Sequence, residues 1–455
     1  MCVSLPPSKL PAMGRDAGQP AGSRWETIPP AVALGLLVIG VAPALAFGIG
    51  GIPHTARAGL AAGGLSDLAT VAGLLLSGTA PYSPTFHGVL PFIYPPGILL
   101  FLPLPWLAGT SHFVLAFAAE MLVVVLAGVA IVARHARRPG LAWALVAVLG
   151  ALGPLAVYRP DPVIGLLLVA GAIAASRSRY FLAFLLVFAA ALIKEYALVA
   201  VVPLLALSCA GAIQNQPGFW SRLAAAFRPP LLAILPVGLV VAAFQLWSHG
   251  GLLTSQLHNL DRGVEIESLP AGVGLVLAHL HQVTVSRGAL GSMEVSGARL
   301  HLAIGTAAFV SLGLALLLAV FWAGFRPGAP PGLLFAASIG AALVATPVLS
   351  PQYLAAFTPC TCLAAYELGG RARPALLWGC VLLSLLTQLE FPYLWTSILA
   401  LARSGLLVLE ARNLLLLMMV LALAAKAMRW RSGAVPALAS PTPGPVGFTR
   451  AGAPR

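Results

Sequence analysis

Ten consecutive residues, His258 to Glu267 in "HNLDRGVEIE", hold five ionisable side chains: His258, Asp261, Arg262, Glu265 and Glu267. They stand out because only 9% of this 455-residue chain is Asp, Glu, Lys or Arg. His258 and Arg262 are four residues apart, as are Asp261 and Glu265, so in a helix each pair would share a face. A guanidinium beside an imidazole suits a phosphate, and the neighbouring carboxylates suit sugar hydroxyls or a metal. The plain alternative is a solvated loop. Other polar residues are spread through the apolar sequence: Asp67 in "GLSDLATVAGLLLSG", Arg159 and Asp161 in "YRPDP", Lys194 and Glu195 in "LIKEY", Gln352 and Tyr353 in "SPQY", and Glu390 in "LEFPY". Each has two readings. Asp67 is an N-cap or a carboxylate poised at the start of a surface helix. "YRPDP" is a tight turn or a charged site. Lys194 with Glu195 is an interfacial snorkelling pair or part of that site. "SPQY" is a helix entry with proline at the first position or a source of hydrogen bonds to hydroxyls. Glu120, alone within an apolar run, is structural or functional, and His279 and His281 read as interfacial residues on an amphipathic helix.

The elements that position these residues follow from composition. Apolar residues make up 59% of the chain and mean hydropathy is +0.95, whereas a soluble domain carries roughly 25% charged residues. A soluble enzyme, a disordered chain and a nucleic-acid-binding domain are excluded. The expectation is an all-α polytopic membrane protein, since a spanning helix needs about 20 apolar residues. Spans are predicted near 31–52, 112–133, 141–157, 162–176, 179–193, 196–213, 230–247, 299–325, 331–348, 351–368, 374–390 and 412–428, about 12 in all (range 10–13). Residues 1–30 and 431–455 read as disordered tails around a single domain, 31–430. Residues 53–111 and 248–298 read as long external loops with surface helices. The stretch 89–107 is apolar, but Pro91, Pro95, Pro96, Pro103 and Pro105 disfavour a continuous helix. The five cysteines (Cys2, Cys209, Cys360, Cys362, Cys380) form no spaced framework.

The charges sort by loop. The two tails and the loops "ARHARRP", "SRSR", "FWSRLAAAFRP", "FRPGAPP" and "GGRARP" hold 18 of the 26 basic residues, with Asp16, Glu26 and Glu367 as their only acids. By the positive-inside rule this set is cytoplasmic, which places both termini inside and accounts for the net charge of +13 without nucleic acid. The motifs with chemistry then fall on the opposite, external face. Ionisable groups near a bilayer are costly and mark function.

An external acid before an amphipathic helix, then "LLLSGTAPYSPTFHGVLPFIYPPG", a Lys after an apolar span, "DRGVEIESLP" and "SPQYL" occur in this order. The chain resembles the glycosyltransferase-C superfamily, and is most similar to bacterial polyprenyl-phosphate-mannose-dependent alpha-mannosyltransferases (glycosyltransferase family 87-like). That resemblance, over about residues 31–430, implies a hexosyltransferase in the cell membrane. It would transfer a hexose, mannose in the resembled family, from a polyprenyl phosphate sugar to a glycan or glycolipid acceptor on the external face, with Asp67 as general base. A polyprenyl phosphate leaves as an anion and calls for cations where charge develops, a role open to His258, Arg262, Lys194 and Arg159. Asp161, Glu265, Glu267, Gln352, Tyr353 and Tyr94 are candidates for sugar or acceptor binding. An attacking hydroxyl must lose a proton to one carboxylate, and a single displacement inverts the anomeric centre. No resident cofactor or metal is implied, although a divalent ion is left open. A multi-span transporter or flippase of lipid-linked substrates is the alternative.

Overall fold

The computed structural model describes residues 27–47, 66–80, 82, 92, 94–257, 262–277, 283–288, 292–297 and 299–431, with the backbone alone for a few of them, including Ser66 and Asp67. His258, Asp261, His279 and His281 lie outside the described residues, as do most of the two tails.

The chain is a helical membrane protein. Helix α1 is Pro30–Phe47, α2 Ser66–Leu76, α3 Pro103–Leu107, α4 Phe113–Ala136, α5 Pro139–Leu152, α6 Asp161–Ala175, α7 Tyr180–Ile193 and α8 Val201–Asn215. Then come α9 Phe219–Trp247, α10 Gly251–Leu257 and α11 Leu269–Leu277, a hairpin of β1 Val283–Arg287 and β2 Met293–Gly297, and α12 Arg299–Gly324. The last are α13 Pro331–Ala345, α14 Leu354–Leu368, α15 Ala372–Gln388, α16 Trp395–Leu399 and α17 Arg403–Met428. Among the described residues seven helices are long and apolar enough to cross a membrane: Phe113–Ala136, Pro139–Ala156, Glu195–Asn215, Phe219–Trp247, Arg299–Gly324, Ala372–Tyr393 and Arg403–Met428. Shorter apolar helices cover Pro30–Ala42, Pro96–Leu107, Asp161–Ala175, Tyr180–Ile193 and Pro331–Ala345.

Local chemistry sets many of the ends. Pro139, Pro162 and Pro331 stand in the first turns of α5, α6 and α13, where the missing N–H costs nothing. The Glu367 carboxylate accepts from the backbone N–H of Gly332 (3.0 Å) and Leu333 (2.8 Å), capping α13. Helices α13 and α14 are buried along almost their whole length. By contrast α9 and α12 turn Leu231, Leu235, Leu239, Leu314, Leu318 and Trp322 outward, as lipid-facing helices do. Helices α1 and α5 cross where a Cβ on Gly40 would sit 2.0 Å from the carbonyl oxygen of Gly150. Such small-residue crossings let backbones approach in a membrane, where packing drives helix association.

Helix ends form two sets. At one, Arg138 donates to the carbonyl of Tyr366, Arg177 to that of His135, and Arg326 to that of Trp430, and the Arg373 guanidinium lies 5.2 Å over the Tyr366 ring. The basic loops therefore meet at one end of the bundle. The opposite end gathers residues 44, 158–161, 194–196, 262–268, 347–353 and 390, beginning with the Tyr158 hydroxyl, which donates to Ala44 O at 3.0 Å.

Four details differ from the sequence expectation. The 262–265 stretch is not helical; Glu265 forms a single bridge with Glu294, and Arg262 pairs with Glu265. The loop before α12 carries the antiparallel β1–β2 hairpin, with Val285 opposite Val295, an addition to the all-α expectation. Helix α9 begins at Phe219, eleven residues before the expected span, and runs through Pro229 and Pro230. Helix α17 begins at Arg403 rather than near 412, because Arg412 is paired and buried instead of marking a membrane boundary.

Candidate functional site

Asp161 opens α6 directly after Pro160, and Lys194 caps the C-terminus of α7 in an extended conformation. These two ends meet. Lys194 Nζ donates to Asp161 Oδ1 at 3.1 Å, and the Tyr196 hydroxyl donates to the same oxygen at 3.3 Å. Asp161 is 0% exposed and Lys194 5%. The ammonium also faces two rings, with Nζ 4.4 Å from the Tyr353 centroid and 5.5 Å from that of Tyr94, distances at which a ring quadrupole attracts a cation. Tyr196 and Tyr353 pack at 4.8 Å between centroids. Burial works against the Lys194 charge, but Asp161 and then the two tyrosines outweigh it, so its pKa is raised. Glu195 is exposed while Lys194 is buried against Asp161, so the two neighbours do not act as one pair.

Tyr94 is placed by its neighbours. Its carbonyl accepts from the Tyr82 hydroxyl at 2.7 Å, and Pro95 and Pro96 are buried and hold the turn rigid. Gly97 follows, and a Cβ there would lie 2.6 Å from Leu192 O at the end of α7. Only glycine lets this turn close onto the helix that presents Lys194. The "YPP" segment thus positions an aromatic wall and does no acid–base chemistry itself.

The second strand of the site is 262–268. Arg262 pairs with Glu265 through Nη2 and Oε1. The backbone is pinned on both sides: Glu265 N–H donates to Pro347 O and Ile266 N–H to Met293 O, each at 2.9 Å. The Pro347 contact ties this segment to the chain that leads into Gln352 and Tyr353, and the Met293 contact ties it to the hairpin. Burial raises the Glu265 carboxyl, against the lowering pull of Arg262 and Lys194, and Glu294 adds to the rise. Both cations therefore act on one carboxylate, joining the two halves of the site electrostatically. Gln352 and Tyr353 form the short turn before α14, half-buried.

Several buried atoms here have no partner among the described residues: Arg159 Nε and Nη1, Asp161 Oδ2, Arg262 Nε and Glu265 Oε2. Arg159 is 4% exposed. Buried guanidinium nitrogens without a partner are costly, so an anion reaching them would find donors already desolvated. Asp67 lies in the first turn of α2, where its backbone alone is described. Among the described residues no group of three His, Cys, Asp or Glu side chains is disposed to hold a metal ion.

In the neighbouring cluster sequence reasoning singled out Glu390 and Glu267 but missed Arg412. Arg412 on α17 and Glu390, in a π-helical turn after α15, are both 0% exposed. They form a two-pronged pair, Nε to Oε2 at 2.6 Å and Nη2 to Oε1. Glu267, two residues after Glu265, faces this pair: burial raises its carboxyl well above the ordinary range, and Glu265 and Glu390 add to the rise. The available signal was a lone arginine within an apolar run, matched to the acid of "LEFPY". Comparison of the chain with protein-family models, curated proteins and solved structures gives no match.

Proposed function

We propose that this protein is a membrane glycosyltransferase of the glycosyltransferase-C type, which moves a hexose, mannose by resemblance, from a polyprenyl phosphate to a glycan or glycolipid acceptor. The observation that carries the reading is the buried pair of cations Lys194 and Arg262, with the ammonium over the Tyr353 and Tyr94 rings and the guanidinium beside Glu265, and with unpartnered guanidinium nitrogens on Arg262 and on Arg159, two residues before Asp161. A sugar phosphate needs those parts together: donors for the leaving phosphate, flat rings and acceptors for the hexose. In this reading Arg159, Lys194, Arg262 and His258 hold the phosphate. Tyr94, Tyr353, Gln352, Asp161, Glu265 and Glu267 surround the sugar and acceptor. Asp67 takes the proton of the attacking hydroxyl, and a single displacement inverts the anomeric carbon. About twelve helices cross the plasma membrane, both termini are cytoplasmic, and the site faces outward. Supporting this orientation, the basic loops lie at the opposite end of the bundle.

The test is incubation of the purified protein with a panel of polyprenyl-phosphate hexoses, following transfer and hydrolysis. Transfer from one of them is expected, and its loss in Asp67→Asn with donor binding retained; turnover by Asp67→Asn removes the base assignment. One observation favours a second reading, a transporter or flippase of lipid-linked substrates. The fully buried Arg412–Glu390 pair is of the kind that coupled transporters place among their helices. Movement of an intact donor across vesicles, with no bond broken, would establish that reading instead.

A further inference from the structure

Beside the cationic site lies a second polar layer, between α11, α12 and α17. Leu302 of α12 and Leu409 of α17 share a small apolar cluster with Ile266, Ala271 and Leu275. Helices α12 and α17 both start at this end of the bundle, so one turn further along each come Thr306 and Asn413, at the same level. Glu410 lies three residues before Asn413, on the same face of α17. Its carboxylate reaches α11, where a Cβ on Gly272 would sit 2.8 Å from both of its oxygens.

Asn413 is 4% exposed and Arg412 0%. Asn413 Nδ2 and Oδ1, Arg412 Nη1, Glu410 Oε1 and Thr306 Oγ1 are all buried without a hydrogen-bond partner among the described residues. The composition of this set selects its ligand. A metal ion would satisfy the oxygens but meet the amide and guanidinium N–H groups head-on. An anion would satisfy those donors but face the Glu410 carboxylate. Hydroxyl groups donate and accept through the same atom, so a neutral polyhydroxyl ligand pairs both kinds at once.

We infer that Asn413, Glu410, Thr306 and Arg412 form a binding subsite for the hydroxyl groups of a neutral saccharide, the acceptor of the transfer reaction. The assignment to the acceptor rests on the function proposed above; the affinity for neutral hydroxyls does not. Glu267 lies between this subsite and the cationic one: the charges that act on it are Glu265 first, then Glu390 and Arg412. A donor phosphate and an acceptor hydroxyl would thus meet near the one segment that carries Glu265 and Glu267.

The test uses the full chain in lipid nanodiscs, free of glycoside detergents, with methyl α-mannoside, methyl α-glucoside and methyl α-galactoside as probes. Saturation-transfer difference NMR should detect binding of at least one. Asn413→Leu and Thr306→Val should each weaken it about tenfold or more, the loss expected for one hydrogen bond to a buried polar group. Each variant replaces an unpaired polar atom by an apolar one, so neither should lower the apparent melting temperature. Should Asn413→Leu fail to fold, Thr306→Val decides alone. Equal binding by wild type and folded variants, or no binding of any of the three probes, overturns the inference and marks a layer filled by water only. Where a polyprenyl-phosphate donor supports transfer, Asn413→Leu should raise the acceptor KM rather than the donor KM. Binding lost in the variants with no transfer from any donor keeps the subsite and refutes the transferase. Transfer with an unchanged acceptor KM does the reverse.

Discussion

The Lys194–Asp161 pair gives the sharpest energetic test of the site. At 3.1 Å and an effective dielectric constant near 20, two unit charges attract by about 5 kcal/mol. Desolvating each ion costs several kcal/mol, so the intact pair contributes little net stability. Removing one partner is different. In Lys194→Met the Asp161 carboxylate stays at 0% exposure with only the Tyr196 hydroxyl, and a cost of about 3–5 kcal/mol is expected. Asp161→Asn should cost less, since Lys194 keeps its contacts with the Tyr353 and Tyr94 rings, worth about 0.5–2 kcal/mol, and the amide oxygen can still accept. The double variant Lys194→Met/Asp161→Asn buries no charge and should recover most of the Lys194→Met loss, giving a coupling of about 2–3 kcal/mol. The raised Lys194 pKa sets the window. Its contribution is full below the unfolded value of about 10.4 and is lost as pH rises through the higher folded value, so a neutral-pH cycle reads the charged pair. The assay is intrinsic-tryptophan melting in nanodiscs at one scan rate, because irreversible unfolding makes the midpoint rate-dependent. The expected order, from most to least stable, is wild type, double variant or Asp161→Asn, then Lys194→Met. Losses that add within about 0.5 kcal/mol, or Asp161→Asn proving the worse single change, would refute the argument.

Glu265 and Glu267 both have raised folded-state pKa values. Their stabilising contribution is therefore complete below the ordinary value of 4.5 and falls as pH rises through the raised values, by at most about 1.4 kcal/mol per pH unit for each group. Melting should be highest on the acid side, and Glu267→Gln should flatten the slope; an unchanged slope removes Glu267 as its source. Gly150→Ala would put a Cβ 2.5 Å from the backbone nitrogen of Leu37. Backbone cannot yield there as a side-chain tip would, so a loss of about 1–3 kcal/mol is expected, and a neutral melt would show that α1 can move off α5. Arg262→Ala should weaken binding of the polyprenyl-phosphate donor about tenfold or more while exposing Glu265; the loss of one charge-assisted hydrogen bond is worth about 1.5–3 kcal/mol. Unchanged donor affinity in an equilibrium binding assay would exclude Arg262 from the phosphate site.

How much could be read in advance depends on the kind of signal each residue leaves. Membrane character was plain from composition, and the separation of basic loops from the acid-bearing motifs was plain from counting, because orientation is written in charge alone. Lys194 and Asp161 each stood out as ionisable residues at the ends of apolar runs. Their pairing did not, since 33 residues and two helices separate them and a hydropathy pattern carries no partner information. Arg412 was hidden by the same rule that found the spans. A charge lowers local hydropathy, so the span appeared to begin at 412, whereas the two-pronged contact with Glu390 lets α17 start nine residues earlier. Helix α9 likewise starts ahead of the expected span at 230 and runs through Pro229 and Pro230. The hairpin did leave a signal, the alternation in "VTVSR" and "MEVSG" around a glycine-containing turn, but it was overshadowed by the neighbouring charges.

The scarcity of charge in this chain makes its uneven distribution the main chemical fact at the acidic end of the bundle. Around Tyr353 the cations Lys194 and Arg262 face the carboxylates Asp161 and Glu265, and guanidinium nitrogens of Arg262 and of Arg159, two residues before Asp161, stay unpaired. Across the 265–268 turn the balance reverses: one guanidinium, Arg412, serves Glu390, with Glu267 and Glu410 close by. Two purely structural clusters would be expected to neutralise each other, because mixing their charges would remove unpaired buried atoms from both. The fold instead fixes the segment between them, with Glu265 pinned to Pro347 and Ile266 to the hairpin. That pinning keeps a cation-rich cluster and a carboxylate-rich cluster a few residues apart. A group-transfer reaction needs this arrangement when its leaving group departs as an anion and its nucleophile must give up a proton. A transporter carrying one intact ligand has no such need for two unlike pockets, which is why separate effects of the two clusters on donor KM and acceptor KM would discriminate between the two functions.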